Sequence, residues 1–229
     1  NLKEIERDKR YHFVKGDIAD AVLVDKLVKD CDMVLNFAAE THVDRSIVER
    51  ADFLRTNIFG TQNVIEVARE LGVKKVIGIS TDKVAEPEGI LGVSKLMAEK
   101  LFLATYYYKG DKKTKFACVR FGNVLGSRGS ILPLFKKQIR MNGTVTVTEP
   151  DMTRFVMSIP QAVNLVLRAA SRMRGHEIFV LKMPSVRLGA LVKTAITYYA
   201  PLFGKKASEI RIRTIGRRDG EKMHESLLA

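Results

Sequence analysis

Short apolar runs alternate with longer amphipathic stretches along most of this 229-residue chain, and no other feature restricts its fold as much. Uninterrupted Val, Ile, Phe and Ala runs suit strands covered on both faces, and strands joined through amphipathic helices become parallel neighbours. The pattern predicts strands at residues 11–15, 33–38, 75–80, 116–121, 144–148 and 178–181. Helices are expected at 21–29, 46–71, 92–108, 131–141, 160–173 and 188–199. Gly60 falls in the middle of the longest helix. Glycine costs a helix interior about 1 kcal/mol relative to alanine, so a bend or break is expected there.

The alternation blurs after about Asn123. That change divides the chain into residues 1–123, a nucleotide-cofactor-binding half, and 124–229, a small substrate-binding lobe interleaved with the last strands. A dinucleotide-binding domain opens with a strand, then G-x-G-x-x-G, then a helix whose N-terminus holds the pyrophosphate. Nothing before Tyr11 supplies that unit, and Gly122, Gly126 and Gly129 are wrongly spaced and follow a late strand. The expected fold is therefore α/β, a Rossmann-like doubly wound parallel sheet whose first strand and glycine-rich loop are missing from this chain. Its stop just after Leu227-Leu228 also reads as an interior point of a longer protein.

Composition narrows the class. With 46% hydrophobic and 28% charged residues the chain reads as an ordinary globular protein. No apolar run approaches the roughly 20 residues of a membrane-spanning helix, and the first residues lack the pattern of a signal peptide. Cys31 and Cys118 sit far apart in apolar stretches without metal-ligand spacing, which reads as two reduced core residues of a cytoplasmic protein. The net charge of +13 admits two readings: nucleic-acid binding, or a solvated basic surface helped by an anionic small substrate. The basic pairs are scattered, from Lys74-Lys75 to Arg217-Arg218, and no nucleic-acid module accompanies them. The second reading is preferred, with no nucleic-acid partner.

Four segments carry residues suited to chemistry. Asp17 and Asp20 follow the first expected strand. Asp20 is placed to cap the next helix, and Asp17, nearer the strand end, suits a ligand. Small Ala38 and Ala39 after the second strand admit close approach of a cofactor, or equally close packing, and His42 beyond them is structural or catalytic. Thr81-Asp82-Lys83 ends the third strand, a poor place for packing and a good one for proton transfer. Lys95 lies four residues after Leu91, on the same helix face, where it either meets a cofactor ribose or is a solvated surface lysine.

Thr81-Asp82-Lys83 followed by Leu91-Gly92-Val93-Ser94-Lys95 resembles the catalytic segment of inverting UDP-N-acetylglucosamine 4,6-dehydratases, in the polysaccharide-biosynthesis branch of the extended short-chain dehydrogenases. The stretches from Arg120 to Ser130, Asp151 to Phe155, Lys182 to Ser185 and Arg218 to Glu225 are similar to the same family in the same order. The resemblance implies that Thr81, Asp82 and Lys83 are catalytic. It implies that Asp17, Ile18, Phe37, Ala38, Ala39, Asn57, Lys95 and Val124 line a nicotinamide cofactor, NAD or NADP. His42, Asn123, Arg128, Ile131, Arg154, Arg218 and Glu221 would hold a UDP-sugar. No metal, no membrane contact by this chain and a homo-oligomer are expected.

Three departures stand out. Short-chain dehydrogenases carry Y-x-x-x-K, and here Leu91 takes the tyrosine position, leaving the first base to Lys83, Asp82 or a water held by Thr81. Thr41 stands where close relatives often have lysine, and residues 40–46 look instead like dTDP-glucose 4,6-dehydratases. Asp219 replaces a usual proline, a change in loop stiffness. The implied reaction is 4,6-dehydration, with a nucleotide-sugar 4-epimerase and a non-catalytic binding protein as alternatives.

Overall fold

In the computed structural model of the protein, residues 2–42, 48–108, 110–127 and 129–228 are described. Helix α1 (Ala21–Val28) begins at Asp20, whose carboxylate accepts from the Leu23 backbone N–H, the capping role read from the sequence. Strand β1 (Met33–Asn36) leads to a helix built of three pieces. These are α2 (Arg50–Phe53), a π-helical stretch (Leu54–Gly60) and α3 (Thr61–Glu70). The irregularity ends at Gly60, where a break was expected. A Cβ on Gly60 would lie 2.6 Å from the Ile18 side chain, so the glycine also admits the neighbouring chain.

Strand β2 (Lys75–Thr81) ends in a 3₁₀ turn (Asp82–Val84), and α4 (Ile90–Tyr108) returns to β3 (Lys115–Phe121). The two-residue β4 (Asn123–Val124), α5 (Ile131–Asn142), β5 (Thr144–Val147) and β6 (Thr153–Met157) follow. Then come α6 (Ile159–Arg172), β7 (Glu177–Val180), β8 (Ser185–Arg187), α7 (Leu188–Leu202) and β9 (Arg211–Thr214). The start of α6 carries both halves of a capping box between Ser158 and Gln161, with proline in its first turn.

β1, β2, β3 and β7 form one parallel sheet in that order. Alternate residues explain why the central strands read as unbroken apolar runs. Val76, Phe116 and Cys118 face α1, α3 and α4, whereas Ile77, Ala117 and Val119 face α6. Both faces are covered, the doubly wound arrangement. A third core joins α5, β5 and α7 around Phe135, Ile139, Val192 and Ile196. There β5 pairs in parallel with β9, away from the main sheet.

Some expectations fail. Residues 11–15 belong to no strand, and Phe13 and Val14 are exposed. A strand exists only where its backbone groups meet a partner, and none among the described residues runs beside this segment. Cys31 is exposed because it sits in the turn before β1, its thiol donating to Leu27 O, whereas Cys118 is buried as expected. β6, β8 and β9 were not anticipated. Residues 46 and 47 of the expected long helix lie outside the described residues.

Candidate active site

The carboxyl ends of β1, β2 and β3 open into a cleft of about 870 Å³, walled on its far side by α5, β5, the start of α7 and residues 218–225. Open α/β sheets hold ligands at this edge. Of the residues singled out in the sequence, Phe37, Ala39, His42, Thr81, Lys83, Lys95, Asn123, Val124, Ile131, Arg154, Arg218 and Glu221 line it. Arg128 lies outside the described residues. Its neighbour Gly129 has φ +77°, and a Cβ there would meet the His42 ring at 2.6 Å. The ring therefore lies against a backbone that only glycine supplies without strain.

The end of β2 and the turn after it carry Thr81, Asp82 and Lys83. Asp82 is fully enclosed, and its Oδ1 accepts from Thr81 Oγ1 at 3.0 Å and Lys83 Nζ at 3.0 Å. Its Oδ2 has no hydrogen-bond partner among the described residues. Thr81 and Lys83 form the cleft wall with Asp82 immediately behind them. Gly92 lets the first turn of α4 pack on this unit, because a Cβ would lie 2.5 Å from the Lys83 carbonyl oxygen. Backbone cannot swing aside, so Gly92→Ala should destabilise the protein by about 1–3 kcal/mol in urea unfolding. A loss below about 0.5 kcal/mol would mean that the turn yields freely.

Lys95, one helical turn beyond Leu91, is nine-tenths buried. Burial pushes its ammonium below the ordinary lysine value, opposed by the Cys118 and Glu99 side chains. No hydrogen bond from the described residues reaches it, so its donors are available to the cleft. Leu91 also lines the cleft and moves no proton.

Other expected ligands act from behind the wall. The π-helical stretch turns Asn57 inward, where Oδ1 accepts from Glu40 N at 2.8 Å. Its Nδ2 donates to Glu40 O at 3.1 Å and Ser94 Oγ at 3.0 Å. Asn57 thus fastens the loop after β1 to α4 instead of lining the cleft. Asp17 accepts from Ala19 N and Arg55 Nε, in that order of effect, and both hold its carboxyl below the usual range. Ile18 packs on the core, and Ala38 N donates to Asn36 Oδ1. Asp17, Ile18 and Ala38 do not form the cleft wall.

Two residues went unremarked. Glu225 has a side chain only 4% exposed, lines the cleft and approaches Lys83 Nζ at 3.6 Å. Lys222 approaches the other oxygen of Glu225 at 3.6 Å and donates to Ala85 O. Both belong to the 218–225 segment already matched as a motif, which was the available signal. Among the described residues, no group of three or more His, Cys, Asp or Glu could hold a metal ion, and no helix is long and apolar enough to cross a membrane.

A family model described as polysaccharide biosynthesis protein matches residues 1–229. An uncharacterized membrane protein of Methanocaldococcus jannaschii is 48% identical over 98% of this chain and 67% of its own length. An inverting UDP-N-acetylglucosamine 4,6-dehydratase of Campylobacter jejuni is 38% identical over 93% of the chain and 61% of its own. A UDP-glucose 4-epimerase of Rickettsia bellii is 40% identical over 95% and 62%. The chain thus spans about three fifths of those two enzymes. Among solved structures, Pen from Bacillus thuringiensis matches with TM-score 0.95 at 39% identity, over 100% of this chain and 70% of that one. The dTDP-glucose 4,6-dehydratase DesIV of Streptomyces venezuelae, solved with NAD bound, matches with TM-score 0.88 at 25% identity, over 99% and 73%.

Proposed function

The chain belongs to the polysaccharide biosynthesis protein family, within the extended short-chain dehydrogenase fold, and from that premise we propose that it dehydrates a UDP-hexose at C4–C6, UDP-N-acetylglucosamine foremost. The observation that carries the reading is the Thr81-Asp82-Lys83 turn at the ligand edge of β2, with Lys95 alongside in the same cleft. Residues 1–123 supply the cofactor side and 124–229 most of the substrate side.

The cofactor is NAD or NADP, which when bound takes a hydride from the sugar and returns it. The buried ammonium of Lys95, without a hydrogen bond among the described residues, fits that group, because a ribose hydroxyl or carboxamide oxygen would satisfy it. Arg154, Arg218 and Asn123 line the substrate half of the cleft, where guanidinium forks suit diphosphate oxygens. As C4 becomes a ketone, its hydroxyl proton passes through the Thr81 hydroxyl, which touches both Asp82 and the cleft, to the Asp82 carboxylate. The C5 proton is then acidic and Lys83 removes it, while Asp82 returns its proton by the same route to the departing C6 hydroxyl, which leaves as water. Lys83 gives its proton back to C5 as the hydride returns to C6. With leucine at position 91, all proton traffic falls to this turn.

The 40%-identical epimerase relative supports a second reading, hydride return to C4 without loss of water. The full-length protein incubated with UDP-N-acetylglucosamine and NAD separates them by mass spectrometry. A product lighter by one water is expected. A product of unchanged mass would establish the epimerase, and UDP binding without turnover would overturn both.

A further inference from the structure

We infer that Glu225 is a positioning residue for Lys83, its carboxylate joining that of Asp82 in fixing where the Lys83 amine stands in the proton-transfer turn. This rests on the proposal that Lys83 is the base. An ammonium has three donors. In Lys83 one is taken by Asp82 Oδ1 at 3.0 Å, and Glu225 Oε1 lies at 3.6 Å, an ion pair without a hydrogen bond. Two carboxylates thus hold the amine of a side chain that lines the cleft.

The environment of Glu225 supports a dedicated role. Its Oε2 is buried without a hydrogen-bond partner among the described residues, although Lys222 Nζ stands 3.6 Å away. A buried carboxylate left incompletely bonded is costly, and such a group persists where it does work. Its position is imposed from outside: Thr153 Oγ1 bonds to His224 Nδ1 at 2.9 Å. Arg154 Nη1 donates to Lys222 O at 2.9 Å, and Arg120 Nη1 donates to Leu227 O at 2.8 Å. The last segment is pinned on both sides of Glu225, and the pins deliver its carboxylate to Lys83. Asp82 and Glu225 face the Lys83 ammonium directly, Lys222 stands behind Glu225, and Glu88, Arg218 and Glu221 line the same cleft.

The test is the rate at which Lys83 is acetylated by acetic anhydride at fixed pH, read by peptide mass in the full-length protein. Only the neutral amine reacts. Glu225→Gln keeps the shape but removes one of the two carboxylates that engage the amine, so labelling should accelerate about threefold or more. Glu225→Asp, which keeps the charge, should label close to wild type. Lys222→Met removes the cation competing for Glu225 and should slow labelling, which keeps the test open if the Gln variant fails to fold. In turnover, Glu225→Gln should lower kcat roughly tenfold with little change in KM, because the amine, although freer to react, is no longer held in line with the C5 proton, and the Asp variant should recover part of it. Equal labelling in wild type, Glu225→Gln and Lys222→Met, or a shift of both variants in one direction, would overturn the assignment. Labelling needs no substrate, so a wild-type protein inert toward UDP-N-acetylglucosamine would defeat the dehydratase reading while the Glu225 result still stood or fell by itself.

Discussion

Lys83→Ala should abolish formation of the dehydrated sugar while UDP still binds. A positioned acid–base group contributes roughly 10²–10⁴-fold to a rate, and that is the expected fall in kcat. Binding should survive because Arg154, Arg218 and Asn123 stand elsewhere on the wall, and Asn123 is fixed independently by its bond to Phe155 O at 3.0 Å. Lys83→Arg sharpens the test. Guanidinium retains the positive charge beside Asp82 but does not give up its proton in a protein, so this variant should be as inactive as alanine. Rates of UDP-N-acetylglucosamine turnover and calorimetric titration with UDP provide the two readings. Arginine-variant activity near wild type would mean that position 83 supplies charge and not proton transfer.

Arg120→Met should destabilise the fold by about 3–5 kcal/mol, because it strands a carboxylate in the core. Glu99 on α4 has a side chain only 1% exposed, and Arg120 on β3 grips it through Nε at 3.0 Å and Nη2 at 2.7 Å. That bond raises the arginine above its ordinary value against the opposing effect of burial. Ser80 donates to Glu99 Oε2 at 2.8 Å and would be the only hydrogen-bond donor left to it from among the described residues. Urea unfolding measures the loss. Replacing both partners, Arg120→Met with Glu99→Leu, should recover most of it, since no buried charge then remains unpaired. A single-variant loss below about 1 kcal/mol would mean that water reaches Glu99 freely. The same arginine holds Leu227 O, so the single variant should also loosen the segment that carries Glu225.

The central architecture was legible because β2 and β3 are buried on both faces and their runs are apolar without interruption. The break at Gly60 was legible from propensity, although not that it would be π-helical and turn Asn57 inward. β9 was not legible: Arg-Ile-Arg-Thr is exposed throughout and is a strand only because β5 supplies its ladder. Residues 11–15 failed in the opposite sense, apolar enough for a strand but with no partner strand among the described residues. At the candidate site, the proximity of Thr81, Asp82, Lys83 and Lys95 was legible because a short turn and one helix hold them near each other in sequence. Asn57 was assigned to the cofactor wall and stands behind it instead, since its three bonds depend on where Glu40 and Ser94 meet.

Local order thus settled which residues alternate between the two faces of a strand, where α1 and α6 begin, and which strand end carries an amine next to a carboxylate. Those properties depend on neighbours a few positions away, and the order of residues specifies such neighbours directly. Folding in three dimensions decided that Asp82 is enclosed while Lys83 is open to the cleft, and that Glu225 arrives beside a residue 142 positions earlier (225 minus 83). That juxtaposition depends on long-range contacts of Thr153, Arg154 and Arg120, whose partners lie about 70 to 107 residues away. No periodicity or propensity encodes the closure of such loops, because their ends meet only through the packing of everything between them.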